Sequence, residues 1–191
     1  MPAAEVWDQL GEEEQEGVVR DLGQLMRRLH ALPAPATLAT DWPAFMAARI
    51  RGAIAHHGAG EPWDTWIGER LAGFSEPTAA AVLLHGDLTA DHLLLEQRVG
   101  RWQISGLIDF GDAKVGHPLY EFVAPLAFYT FGRPELSRAL VEGYGRWPVA
   151  EVAEMLTTYC LLHEFGRLRQ FLARHPVADG PAFHRALWGE G

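Results

Sequence analysis

Apolar residues recur at helical spacing near the beginning of the chain. The first such series is formed by Val18, Leu22, Leu25 and Leu29. It predicts an amphipathic helix that begins at the acidic residues 12–14, where the helix dipole favours negative charge, and ends near Leu32, because Pro33 cannot continue a helix. The same reasoning predicts two further helices, over 41–58 and over 62–74.

The middle of the chain has a different pattern. Short apolar runs at 81–84, 93–95 and 103–108 predict strands, with a turn near Gly100 between the last two. Helical periodicity then returns over 118–131, 135–145, 149–173 and 181–188. The sequence therefore predicts a mostly helical α+β fold with a small β-hairpin in its middle. We expect one domain over 1–191 that starts with a flexible or capping segment, residues 1–16.

The composition is that of a folded, acidic protein. Apolar residues make up 48% of the 191 residues, charged residues 21%, and the net charge is -9. We expect neither nucleic acid nor an anionic membrane as a partner, because both repel negative charge, whereas a cationic substrate would be attracted. Cys160 is the only cysteine, which excludes an internal disulfide. With no secretory signal and no apolar run of membrane length, the sequence predicts a cytoplasmic protein.

The unusual polar residues gather beside the predicted strands. The segment 85–92 holds two acids and two histidines, and Asp109 follows the strand predicted over 103–108. If the strands pair, Asp87 and Asp109 come close together, and two neighbouring carboxylates repel unless a cation lies between them. Carboxylate oxygens suit Mg²⁺, which usually brings phosphates with it. The pattern therefore indicates phosphoryl transfer.

Two motifs carry a resemblance to a known family. The segments 85–87 (His-Gly-Asp) and 108–112 (Ile-Asp-Phe-Gly-Asp) resemble the catalytic and metal loops of the aminoglycoside phosphotransferases, small-molecule kinases with the protein-kinase fold. The resemblance extends over about 17–189, and the tail is most similar to the hygromycin-B kinase branch. It implies the C-terminal lobe of a kinase-like fold, ATP as phosphoryl donor, Mg²⁺ as cofactor, and a small-molecule hydroxyl, such as that of an aminosugar, as acceptor.

The resemblance assigns roles to individual residues. Asp87 matches the catalytic aspartate, Asp109 the aspartate that holds Mg²⁺ on the nucleotide phosphates, and His85 an architectural histidine. His92 stands where the family usually has a metal-binding asparagine. Imidazole nitrogen is a poor ligand for Mg²⁺, so His92 is either a ligand or a hydrogen-bonded structural residue, and Asp91 could supply an oxygen instead.

Three further acids have candidate roles by the same resemblance. Asp112 is either a ligand for metal or substrate or a cap of the following turn. Glu164, in the helical tail, is a candidate contact for a cationic substrate. Glu121 matches an acidic position of the family and is expected to be a local structural anchor.

One part of the kinase pattern has no counterpart in this sequence. No glycine-rich phosphate loop precedes His85, and the only lysine, Lys114, follows Asp109 and cannot be the strand lysine of a kinase. We therefore expect the N-terminal lobe to be absent. The apolar floor of the nucleotide cleft would then be exposed and open to self-association or to a partner. The residues expected to form this floor are Leu93, Leu95 and Ile108.

Two alternatives to an active kinase stay open. The chain could be a non-catalytic remnant, or a module that a partner completes, which predicts weak or no nucleotide binding. It could instead be a metal-dependent hydrolase, with a single transition metal held by His85, Asp87, His92 and Asp109.

Overall fold

The computed structural model describes residues 1–190 and is mostly helical. The α-helices are α1 (Ala3–Val6), α2 (Glu12–His30), α3 (Trp42–His57), α4 (Trp63–Ala72), α5 (Val123–Pro125), α6 (Pro134–Tyr144), α7 (Val149–Cys160), α8 (Leu168–Arg174) and α9 (Gly180–Trp188). The strands are β1 (Val82–Leu84), β2 (Leu93–Arg98), β3 (Arg101–Leu107) and β4 (Lys114–Gly116). No helix in this part of the chain is both long enough and apolar enough to cross a membrane.

Helices α2 and α6 pack closely because of two glycines. A Cβ atom added to Gly23 would overlap the carbonyl oxygen of Leu140, and one added to Gly143 would overlap that of Arg20. The backbones therefore approach to a distance that no other residue type allows. The apolar face predicted for α2 lies in this contact and forms one wall of the core.

The chain begins against the outer edge of the hairpin. The Met1 ammonium donates to the Leu95 carbonyl, and the Leu95 N–H donates to the Met1 carbonyl, both at 2.8 Å. Residue Ala3, the first of α1, is fully buried there. The expectation of an exposed apolar floor is wrong for Leu93 and Leu95, which are 0% exposed under this segment, whereas Ile108 is 44% exposed. Of the three residues expected to form the exposed floor, only Ile108 is left to support the predicted self-association.

The four strands form two antiparallel pairs. Strands β2 and β3 form the predicted hairpin, with a register shift between Leu94 and Leu95. Strand β1 pairs with β4, a strand that the sequence did not predict because its three residues carry no alternating pattern. The β1–β4 pair brings the segment after β1, residues 85–92, beside the loop 108–113 that follows β3.

The helical segment predicted over 118–131 changes its pitch twice. It starts as a 3₁₀ turn over Pro118–Phe122, continues as α5 and ends as a π-helical turn over Leu126–Thr130. Pro125 has no N–H group, so the regular hydrogen-bond series is interrupted at this point.

The prediction of one helix over 149–173 is wrong. Helices α7 and α8 are separated by residues 161–167. The carbonyl of Leu161 accepts from His57 Nε2 at 2.9 Å, and the next two carbonyls accept from Arg49 at 3.0 Å each. Because these carbonyls bond to side chains of α3, the helix ends there and the chain bends.

Candidate functional site

A buried carboxylate fixes the first loop of the site. Glu121 is 2% exposed, and its two oxygens accept the backbone N–H groups of His85 at 2.6 Å and Gly86 at 3.1 Å. Gly86 has a φ of 86°, and a Cβ atom there would overlap the carbonyl oxygen of Asp112. Only glycine fits this position. The candidate catalytic residue Asp87 follows directly, so its backbone is held on a rigid support.

The imidazole of His85 joins the two loops of the site. It is fully buried, its Nε2 bonds the carbonyl of Ile108 at 2.9 Å, and its Nδ1 accepts the N–H of Asp87 at 3.3 Å. Together these bonds require the tautomer that is protonated at Nε2. His85 therefore faces the protein rather than a ligand.

The second loop holds Asp109 in an unusual backbone conformation. Its φ is 62°, in the left-handed region that costs a non-glycine residue about 1–2 kcal/mol. The Oδ1 atom accepts the N–H of Gly111 at 3.2 Å, and the N–H of Ile108 bonds the His92 carbonyl at 3.0 Å. The Asp109 side chain is 61% exposed, which leaves its second oxygen free to meet a ligand.

The imidazole of His92 lies between the two aspartates. Its Nδ1 is 2.8 Å from the carbonyl oxygen of Asp87 and 3.5 Å from the carboxylate Oδ2 of the same residue. Its Nε2 is 3.6 Å from Oδ2 of Asp109. One ring therefore separates the two carboxylates that were predicted to lie close together.

The environment of Asp87 disfavours its charged form. Burial raises the pKa of this carboxyl above its ordinary value, and the carboxylates of Asp112 and Asp109 add to the rise. The imidazoles of His92 and His85 oppose it. A carboxylate with a raised pKa is a stronger proton acceptor, which suits a group that takes a proton from a hydroxyl.

The other predicted site residues are placed less centrally. Asp91 and Asp112 are exposed, and their side chains form no hydrogen bond or ion pair within residues 1–190. Glu164 forms an ion pair with Lys114, so its carboxylate is already neutralised. The Lys114 ammonium also lies over the rings of Phe45, Tyr120 and Phe165.

A cavity of about 220 Å³ opens beside Asp87. Its walls combine aromatic with basic and neutral polar side chains; among them are Phe128, Phe165, Phe171, Arg167, Gln170 and Arg174. This cavity could not be predicted from the sequence, because it forms at the unpredicted bend between α7 and α8. One signal was present in the sequence: residues 165–178 contain three arginines and no acid.

The donor set at the two loops fits a metal ion only in part. Within residues 1–190, no group of three or more His, Cys, Asp or Glu side chains is arranged to hold a metal ion. That finding argues against the hydrolase alternative, which needs four such ligands. The carboxylate of Asp109 suits Mg²⁺, which takes its other ligands from phosphates and water. The nitrogen of His92 is a weaker match for this hard cation.

Comparisons with known proteins identify a family, a curated relative and solved structures that this chain resembles. A model of the phosphotransferase enzyme family matches residues 1–156. The uncharacterized protein YcbJ of Bacillus subtilis (strain 168) is 38% identical over 82 residues, which are 42% of this chain and 23% of YcbJ. The GDP and kanamycin complex of APH(2")-IIia aligns with a TM-score of 0.66 at 20% identity, over 79% of this chain and 54% of that chain. An aminoglycoside-3'-phosphotransferase of type VIII aligns with a TM-score of 0.58 at 26% identity, over 81% and 62%.

These alignments bear first on the fold. The chain spans about half the length of the first of these structures and less than a quarter of YcbJ. The predicted α+β, kinase-like fold is confirmed by the structural matches. The closer similarity to the hygromycin-B kinase branch stays a prediction.

Proposed function

The chain belongs to the phosphotransferase enzyme family, and from this premise we propose that it transfers a phosphoryl group from a nucleoside triphosphate to a hydroxyl of a small molecule. The observation that supports this proposal best is the placement of Asp87 and Asp109 on the two sides of His92, beside a cavity that Asp87 lines. ATP is the donor we propose, since the structural neighbours include complexes with ATP, ADP and GDP.

Asp87 would act on the acceptor. The hydroxyl oxygen forms a bond to the γ-phosphorus while the bond to the β-phosphate oxygen breaks, and Asp87 accepts the hydroxyl proton. Its raised pKa and its position in the cavity wall both suit this step. Glu121 and His85 would fix the loop, so that little reorganisation is needed during the reaction.

Asp109 would hold Mg²⁺ on the nucleotide phosphates. The ion, when bound, neutralises the charge that develops on the transferred group. We propose His92 as the residue that orients Asp109 or meets the same ion through Nε2, which points to Asp109. Asp91 and Asp112 remain supporting candidates, since both are exposed near these loops.

The acceptor was expected from sequence to be a cationic aminosugar. That expectation came from the family resemblance and the negative net charge, and its candidate contact, Glu164, is paired with Lys114. We therefore propose a small-molecule hydroxyl as acceptor and derive its chemical class below. A cytoplasmic location, predicted from the sequence, stays a proposal, and so does a role in antibiotic resistance.

A second candidate function is a non-catalytic kinase-like module that a partner completes. Kinases of this fold use a lysine and a glycine-rich loop on the phosphates. Lys114 is committed to Glu164 and to aromatic rings, so no lysine of this sequence is free for that role. Under this candidate the phosphate contacts come from a partner.

Transfer of label from γ-labelled ATP to alcohols tests the proposal. The acceptor panel includes kanamycin, the compound bound in one structural neighbour. We expect labelled product from the unmodified chain, a decrease of about a hundredfold or more with Asp87→Asn, and no change with Asp21→Asn, an exposed aspartate of α2. Equal transfer by Asp87→Asn contradicts the proposed role. Weak or absent ATP binding, together with no transfer to any alcohol, favours the second candidate.

A further inference from the structure

The segment that forms one wall of the cavity beside Asp87 is strongly basic. The whole chain has a net charge of -9, but residues 165–178 carry Arg167, Arg169 and Arg174 and no acid. The arginine ion pairs in the described part of the chain involve Arg20, Arg70, Arg98 and Arg133. The three arginines of this segment therefore keep their charges unneutralised by any carboxylate of residues 1–190.

Two of these three arginines line the cavity. Arg167 and Arg174 contribute to its wall, whereas Arg169 does not. Asp87 is the single carboxylate among the lining residues that the structure describes, and it is the proposed catalytic residue. His163 also lines the cavity, but burial lowers its pKa to about 3, so it is neutral. Apart from Asp87, the charges that face the cavity are therefore positive.

The rest of the wall is apolar and partly exposed. Phe128 and Phe165 are 53% and 50% exposed, so their rings offer apolar surface to a ligand. A smaller cavity of about 70 Å³ shares part of its lining with the first, and Phe171 is one of the residues that line both. Its lining is almost entirely apolar and includes Phe131 and Phe183. The two cavities together offer an apolar surface continuous with the basic one.

We infer that the acceptor of this site is a hydroxyl compound that carries an anionic group, such as a carboxylate, and an apolar body. This inference rests on the proposed function of Asp87. The hydroxyl lies at Asp87, the anion meets the guanidinium groups of Arg167 and Arg174, and the apolar body packs on the phenylalanines. A polycationic aminosugar would instead place ammonium groups against two arginines, and like charges at close range disfavour binding.

Binding of three matched alcohols to the 191-residue chain tests this inference without any turnover. The probes are phenyllactate, the neutral analogue in which methyl replaces the carboxylate, and the cationic analogue in which aminomethyl replaces it. All three keep the phenyl ring and the hydroxyl, and they differ in one substituent, which is anionic, neutral or cationic. In calorimetric titrations we expect phenyllactate to bind at least about tenfold more tightly than the cationic analogue, the effect of one charge-assisted hydrogen bond.

Arginine variants locate the contact. Arg174→Glu should weaken phenyllactate binding by about tenfold or more, whereas Arg169→Glu, on the same helix but outside the cavity wall, should leave it within about twofold. The inference is overturned by tighter binding of the cationic analogue, by equal effects of the two variants, or by the absence of saturable binding of all three probes. These titrations need no nucleotide, so they test acceptor binding alone. A failure of the proposed phosphoryl transfer would be seen separately, in the label-transfer assay.

Discussion

At the scale of single residues, the site depends on side chains that each hold two segments together. His85 bonds both loops, Glu121 binds two consecutive N–H groups, and His92 lies between the two aspartates. The motifs predicted that Asp87 and Asp109 belong to one site. They could not predict the position of His92, because it depends on how the two loops approach in space.

The charged form of Asp87 should lower the stability of the fold. Because burial raises the pKa of this carboxyl above its unfolded value, its ionisation favours the unfolded state once the pH exceeds the ordinary carboxyl pKa. Asp87→Asn removes this cost. We expect its melting temperature at neutral pH to exceed that of the unmodified chain by about 1–3 °C, measured by differential scanning calorimetry.

The same pair of proteins gives the pH control. Below the ordinary pKa of aspartate both forms are uncharged at this position, so the difference in melting temperature should disappear. A variant that is less stable than the unmodified chain at neutral pH would show that contacts of the Asp87 carboxylate stabilise the fold.

At the scale of the elements, the helices near the beginning of the chain and the central hairpin could be predicted from periodicity, whereas the bend between α7 and α8 could not. The sequence of 161–167 contains only one strong helix breaker, Gly166. The bend arises because Arg49 and His57 of α3, more than a hundred residues earlier, bond the carbonyls that would continue the helix. That contact is decided by the tertiary fold. The basic cavity next to the bend was missed for the same reason.

The His57 contact predicts a pH dependence of stability. Burial lowers the pKa of His57 from 6.5 to about 4, so between these values the unfolded chain takes up a proton that the folded chain excludes. Stability should therefore fall as the pH decreases through this range. His57→Gln removes one proton from the difference in proton uptake between the unfolded and the folded chain. At pH about 5, we expect the free energy of unfolding in urea to fall by about 1 kcal/mol less per pH unit in this variant than in the unmodified chain. Equal slopes in the two proteins would contradict the buried, neutral state of His57.

The close contact of α2 with α6 predicts a strong effect of one methyl group. Gly143→Ala places a Cβ atom against the backbone carbonyl of Arg20, and we expect it to reduce the free energy of unfolding by about 1–3 kcal/mol or more. Gly17 also lies in α2, but a Cβ atom added there has no atom within 4 Å. Gly17→Ala should therefore be neutral or stabilising by about 0.5–1 kcal/mol. Urea unfolding of both variants checks the contrast, and similar losses would show that the two helices do not pack as described.

At the scale of the whole molecule, two facts limit what the sequence could predict: charge is unevenly distributed, and the chain spans only part of the length of its structural relatives. The net charge of -9 suggested a cationic substrate, but the charge that matters is local, and the cavity beside Asp87 is basic. The kinase-like fold was predictable because two motifs and several helices agree along most of the chain. The chain spans about half the length of the first structural relative, so the activity of the complete catalytic unit stays a proposal.

A calorimetric titration with Mg²⁺ and ATP tests the central claim most directly, that the loops of Asp87 and Asp109 form a nucleotide–metal site. The titration is made on the unmodified chain, on Asp109→Asn and on the control Asp21→Asn. We predict saturable binding that is weaker by about tenfold or more in Asp109→Asn, from loss of a metal ligand, and unchanged in Asp21→Asn. Equal affinities of the unmodified chain and Asp109→Asn, or no binding by the unmodified chain, would contradict the account.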